Sequence, residues 1–214
     1  MDKKIVLLIG VVCFVAGTSY AKTQKEDFEK GSLKDWEIEG DAKISSDQKH
    51  SGTKSLFVPK GSKAIWITSK ENKFGKVTFW VYDSRVGGKF IKHSNGPSFG
   101  IADSDSNYFV LGMIERIGDP FRWGTYYYCS SVVSIFGWWY PDLGTKANIA
   151  KGWHKFLFNI ADSKTLEVIR DDEKQGNIDL EKVQFSSGFA GVYFSGGADG
   201  EETFYYDDIE IEMK

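Results

Sequence analysis

The sequence predicts an all-β chain folded as two antiparallel sheets packed face to face, and three observations predict it. Apolar and polar residues alternate with period 2 in most segments, while runs with the helical period of 3.6 are almost absent. The chain holds 33 aromatic residues (7 Trp, 10 Tyr and 16 Phe), which suit a pleated, half-buried surface. It also holds 23 glycines and only 4 prolines, a supply of tight reversals between strands.

The first segment reads as a leader. Lys3 and Lys4 precede an apolar run at 5–16 broken only by Gly10, and Ser19-Tyr20-Ala21 ends in a small-x-small cleavage pattern. The run is too short to span a bilayer, which takes about 20 residues, and Val12 before Cys13 does not suit lipid attachment. Residues 1–21 are expected to be a signal peptide. The remaining 22–214, or 193 of the 214 residues, are expected to form a single domain, secreted or periplasmic, with no membrane insertion. A domain of this size buries a full core without staples. With Cys129 as its sole thiol, it builds neither a disulfide scaffold nor a Cys-rich zinc site.

Ten runs then read as strands. The first two, 53–58 and 63–68, lead into 76–83, where Val77, Phe79 and Val81 fall on one face and Thr78, Trp80 and Tyr82 on the other. The first set belongs to the core, and the second forms an aromatic strip facing solvent or a covering loop. Strands 97–102 and 108–115 flank Asp103-Ser104-Asp105-Ser106-Asn107. That segment has the D-x-D-x-N spacing of a calcium loop but lacks its glycine and twelfth-position Glu, so a hairpin turn is expected. Next come 123–129, 153–161 and 165–170. The charges Asp171-Asp172-Glu173-Lys174 read as a solvated turn, and 172–184 has room for one helical turn. Strands 189–195 and 203–212 close the chain, with Ser186-Ser187-Gly188 and Gly196-Gly197 between them and their neighbours. Strict alternation over 203–212 sets Tyr205, Asp207, Ile209, Ile211 and Met213 on one face. It therefore places Asp207 on the core side, where a carboxylate must be paired or bound. Ten strands make two sheets, and with no linker or internal repeat the economical arrangement is one antiparallel sandwich.

The charge balance excludes one class of partner. Lys and Arg number 27 against 30 Asp and Glu, a formal charge of −3 that becomes −4 without the leader's Asp2, Lys3 and Lys4. A mildly acidic surface does not suit a nucleic acid, which needs a basic face.

Both ends of the mature chain resemble known proteins. Asp27-Phe28-Glu29-Lys30-Gly31, with Trp36 soon after and then Ser51-Gly52-Thr53-Lys54-Ser55-Leu56, resembles the opening of bacterial jelly-roll carbohydrate-binding modules. Tyr205-Tyr206-Asp207-Asp208-Ile209-Glu210-Ile211 looks like their closing strand, and Gly152-Trp153-His154-Lys155-Phe156 resembles a strand of concanavalin A-like lectin and glucanase sandwiches. The resemblance implies a two-sheet antiparallel jelly-roll β-sandwich. It leaves open which of the two topologies applies, and 86–149 matches nothing. It also implies a structural calcium tying the first strand to the last, through Asp27 or Glu29 and Asp207 or Asp208. Asp207 accepting backbone N–H groups is the alternative.

The densest feature lies in the unmatched part. Trp123, Tyr126, Tyr127, Tyr128, Phe136, Trp138, Trp139 and Tyr140 crowd 123–140, at a frequency well above the chain's 15% of aromatics. Consecutive rings on one strand cannot all face the core. An emergent Trp or Tyr is an apolar platform with a polar handle, suited to the C–H face of a sugar. The candidate carbohydrate-binding residues are Trp123, Tyr126, Tyr128, Trp138, Trp139 and Tyr140, with Arg116 and Arg122 as flanking hydrogen-bond donors and Trp80 and Tyr82 as a second wall. Internal packing of the same rings is the competing reading.

No catalytic pattern emerges. The chain lacks the paired carboxylates of an E-x-D-x-x-E strand, which would flank a glycosidic bond. It also lacks the Arg/Glu and Gln/His motifs of alginate-lyase-like sandwiches, a G-x-S-x-G elbow and a phosphate loop. His50, His93 and His154 sit in separate segments without H-E-x-x-H spacing. The expectation is a non-catalytic, lectin-like protein that binds a polysaccharide or glycan. The alternatives are an extracellular structural or protein-interaction domain with a protein partner, and a polysaccharide-active enzyme with an unfamiliar site.

Overall fold

The computed structural model describes residues 22–83, 97–115, 126–134, 137–139, 146–147, 152–183, 185–197 and 204–214. Among them no helix forms. The strands are β1 (Lys22–Glu26), β2 (Glu37–Glu39), β3 (Lys43–Ser45), β4 (Ser55–Val58), β5 (Lys63–Ile67), β6 (Gly75–Asp83), β7 (Ser98–Ala102) and β8 (Tyr108–Glu115). They continue as β9 (Tyr126–Ser134), β10 (Gly137–Trp139), β11 (Lys146–Ala147), β12 (Gly152–Ile160), β13 (Thr165–Arg170), β14 (Glu173–Asp179), β15 (Gly191–Ser195) and β16 (Phe204–Met213). The first sheet runs β14-β13-β12-β6-β16-β4-β3, with β1 also on β16, and the second runs β10-β9-β8-β7-β15-β5-β2, with β11 on β9. All ten expected strands have counterparts among the described residues; of the one expected at 123–129, residues 126–129 lie on β9 and 123–125 fall outside the described residues.

Aromatic rings join the two sheets. Phe79 of β6 lies 5.6 Å from Phe158 and 6.3 Å from Phe156 in its own sheet, and 5.2 Å from Phe194 and 5.7 Å from Phe99 in the other. The opening motif feeds this core too: Phe28 is fully buried, and Trp36 stacks on Trp66 at 5.6 Å and on Phe194 at 6.0 Å. Val77, Phe79 and Val81 point inward as the alternation predicts.

β16 departs from strict alternation, and the departure corrects the expected position of Asp207. Phe204 and Tyr206 face the core, then Ile209, Ile211 and Met213. Between them the register with β6 shifts from Asp207↔Trp80 to Glu210↔Thr78, and Asp208 takes a left-handed φ of 47°. The bulge inserts one residue and moves the alternation by one. Asp207 therefore shares the outward face with Trp80. It also lies where β16 changes partner, from β4 at Phe204–Tyr206 to β1 at Ile209–Met213.

The charge cluster at 171–174 is indeed a turn, but a tighter one than the sequence suggests. Asp171 (φ 49°) and Asp172 (φ 63°) alone join β13 to β14, as in a two-residue hairpin whose central residues are both left-handed. Residues 173–179 therefore form a strand, and a single turn follows, closed by the Val183 amide donating to the Asp179 carbonyl at 3.3 Å. Because glycine adopts positive φ without a Cβ penalty, Asp172→Gly should stabilise the fold by about 0.5–1 kcal/mol, net of losing the exposed Lys155–Asp172 pair at 3.1 Å. A urea titration checks it; equal or lower stability refutes it.

Candidate functional site

The outward face of the first sheet carries a row of rings laid across the strands. The register aligns Phe57 of β4, Tyr205 of β16, Tyr82 of β6 and Trp153 of β12, with Lys43 of β3 at one end. Neighbouring rings touch, at 5.0 Å for Phe57–Tyr205, 6.1 Å for Tyr205–Tyr82 and 5.4 Å for Tyr82–Trp153, and the Lys43 ammonium stands 5.9 Å over Phe57. Strand spacing of ~4.8 Å makes the row about 14 Å long. Phe57, Tyr82 and Trp153 are half-buried, whereas Tyr205 is 8% exposed. Burial raises the Tyr205 hydroxyl above the usual phenol range, and the nearby Asp47 carboxylate adds to it.

Trp80 lies one step along the strand, paired with Asp207 on one side and Lys155 on the other. The His50 ring covers it, 3.7 Å between centroids and 16° from parallel, and also meets Trp153 edge-on at 5.6 Å. Trp80 and Tyr82 thus lie on the open face that the alternation assigns them. His50, Phe57 and Trp153 were not singled out as site residues. For Trp153 the signal was available, since alternation on β12 sets it opposite Phe156 and Phe158; for His50 no local pattern exists.

Carboxylates clip the segment that carries His50 onto the sheet. Asp207 Oδ2 accepts the amides of His50 (2.9 Å) and Ser51 (3.2 Å), and its Oδ1 accepts the Asp208 amide (2.9 Å). Asp208 Oδ2 lies 2.6 Å from His50 Nδ1, and its Oδ1 accepts the Ser51 hydroxyl at 2.8 Å. Asp207 is fully buried, and desolvation pushes its carboxyl up to about 6 against the three amides that favour the charged form. Glu29 holds the next turn, accepting from the Thr53 amide (2.7 Å), the Thr53 hydroxyl (2.7 Å) and the Lys54 amide (2.8 Å), and these bonds lower its carboxyl below the usual range. Asp27 accepts the Glu29 amide at 3.1 Å. Of the four carboxylates expected around a calcium, Asp207 and Asp208 meet at the bulge, while Glu29 and Asp27 serve other amides. Among the described residues no group of three or more His, Cys, Asp and Glu side chains converges as a metal site.

The described part of the aromatic-rich segment belongs to the other sheet. Tyr126 and Tyr128 lie on β9, paired with Glu115 and Met113, and Trp138 and Trp139 lie on β10, paired with Val133 and Val132. Arg116, Arg122, Trp123 and Tyr140 lie outside the described residues. Trp80 and Tyr82 face away from the second sheet, so they do not form a wall opposite β9 and β10. On that sheet's own outer side, Tyr108 and Tyr193 stack at 4.3 Å over Ile65 and Val110, with Tyr193 only 5% exposed.

Two other motifs resolve as structure. Asp103 is buried and accepts from the amides of Asp105 and Asn107, the Asn107 side chain and the Ser186 hydroxyl, all at 2.8–2.9 Å, so the D-x-D-x-N segment is a hairpin turn held by its first residue. His154 packs within the first sheet, its Nδ1 2.8 Å from Asp171.

No family model matches the chain, and no curated protein matches its sequence. Solved structures do match its fold. Domain 4 of an extracellular family-43 arabinanase from Geobacillus stearothermophilus, in complex with arabinotriose, superposes with a TM-score of 0.54 at 14% identity, over 90% of this chain and 93% of that one. A family-16 glycoside hydrolase of a mixed-linkage glucan locus in Bacteroides ovatus, with its oligosaccharide product, gives 0.55 at 15% identity, over 88% and 99%. The alginate lyase Aly36B with an alginate trisaccharide gives 0.59 at 9% identity, over 90% and 98%. The fold is the jelly-roll β-sandwich of these carbohydrate-active proteins. The expectation of a non-catalytic protein does not stand. A hydrolase and a lyase share this sandwich, so missing familiar motifs do not exclude glycan cleavage.

Proposed function

We propose that this chain binds a polysaccharide or glycan, stacking sugar rings on the row formed by Phe57, Tyr82 and Trp153 on the outer face of the first sheet. The alignment of these rings across adjacent strands carries the reading, because a line of apolar platforms about 14 Å long suits an oligosaccharide. Jelly-roll neighbours that hold arabinan, glucan and alginate oligosaccharides support it. The leader-like start and the extracellular arabinanase among the neighbours support secretion.

A sugar covering about 60–100 Å² of ring gains about 1.5–2.5 kcal/mol per platform, so two platforms give a Kd on the order of millimolar. Affinity electrophoresis or calorimetry against arabinan, mixed-linkage glucan and alginate oligosaccharides tests this. Trp153→Ala should weaken binding at least roughly tenfold. If the wild type binds none of the three, or Trp153→Ala binds as well as wild type, the reading fails. The same titration on Trp138→Ala and Trp139→Ala reports whether β10 contributes a second contact.

A further inference from the structure

We propose that His50, held by Asp208, is the polar recognition group of the aromatic face, its Nε2 accepting a hydrogen bond from a sugar hydroxyl. The inference rests on the reading above and refines it to a ligand with a donor hydroxyl beside an apolar ring face.

A carboxylate only accepts hydrogen bonds. The 2.6 Å contact between Asp208 Oδ2 and His50 Nδ1 therefore puts a proton on Nδ1. In the neutral ring Nε2 then carries the lone pair. Among the described residues that atom has no hydrogen-bond partner and is not one of the buried unpartnered polar atoms, and the side chain is 27% exposed, so it reaches solvent. The ring has little freedom to turn away. It is stacked on Trp80 at 3.7 Å and edge-on to Trp153 at 5.6 Å, and its own amide is bound to Asp207. Asp208 is fixed in turn by the Ser51 hydroxyl on its other oxygen and by the bulge that gives it its left-handed backbone. Apolar platforms with one convergent polar atom whose direction is set in advance are the usual composition of a site that orients a ligand.

The test uses the full chain at pH 8, with arabinan, mixed-linkage glucan and alginate oligosaccharides as probes. His50→Phe keeps a ring on Trp80 but removes the acceptor. Asp208→Asn offers an amide that can donate to Nδ1 and so releases the tautomer. Each should weaken binding about tenfold, with Asp208→Glu retaining more affinity than Asp208→Asn. Imidazole ¹⁵N shifts should report an unprotonated Nε2 in the wild type and a protonated one in Asp208→Asn, a change that loss of packing alone does not cause. A wild-type ring protonated at Nε2 overturns the inference. So does a protein in which Trp153→Ala loses binding while His50→Phe and Asp208→Asn do not, an outcome that leaves the stacking reading standing. Absence of binding to all three probes overturns both.

Discussion

Replacing Phe79 by alanine is expected to cost about 3–5 kcal/mol, the range for deleting a fully buried Phe that the surroundings cannot collapse to fill. The ring is wholly buried and in contact with four others, two from each sheet. The void would open on both layers, and neither sheet can close it without changing the spacing that the other rings maintain. At about 2–4 °C per kcal/mol for a domain of this size, the melting midpoint should fall by roughly 10 °C. Phe79→Leu, which refills most of the volume, should cost well under half as much. Thr78→Ala, one residue away on the outward face, should stay within about 0.5 kcal/mol. Chemical denaturation of the three variants decides it. A Phe79→Ala loss below about 1 kcal/mol, or one no larger than that of Thr78→Ala, would mean that this ring does not join the sheets.

Alternation made most of the sandwich legible, because each long strand with one buried face writes that burial into its sequence at period 2. Residues 75–83 are the clearest case, separating Phe79 from Trp80 correctly. Short edge strands escaped for the opposite reason. Lys22–Glu26 is polar throughout and becomes β1 only because β16 offers it an edge. The bulge at Asp207–Asp208 was hidden as well, since an extra residue leaves composition unchanged while placing Phe204–Asp207 on faces opposite to those that alternation carried back from Ile209, Ile211 and Met213 assigns. At the site, Trp80 and Tyr82 were readable as an outward pair, but the alignment of Trp153 with Tyr82 joins residues 71 positions apart and is decided by strand register. His50 arrives from a turn whose place depends on carboxylates about 157 positions away. Motif resemblance marked the bulge carboxylates for a calcium, and the His50 and Ser51 amides that Asp207 accepts have no signature in the side-chain sequence.

Asp207 should show the second largest effect, and its sign depends on pH. At pH 7 Asp207→Ala removes the acceptor for three amides. Each unmade bond to a charged group costs about 1.5–3 kcal/mol, and removing a buried charge offsets part of that. The expected net loss is about 2 kcal/mol, with a change in tryptophan fluorescence as His50 leaves Trp80. Burial raises the carboxyl from 3.8 to about 6 in the folded protein, so between those values the native state binds more protons than the unfolded chain. Stability then falls as pH rises through that window: the contribution is fully present below 3.8 and lost above about 6. On acidification from pH 7 to pH 5 the wild type should therefore gain roughly 1 kcal/mol that Asp207→Asn, which cannot titrate, does not gain. Subtracting the two urea curves at each pH cancels the other ionisable groups. A difference between wild type and Asp207→Asn that does not change with pH would contradict the raised carboxyl, and an unchanged midpoint for Asp207→Ala at pH 7 would mean that the clip carrying His50 is held by Asp208 and Glu29 without it.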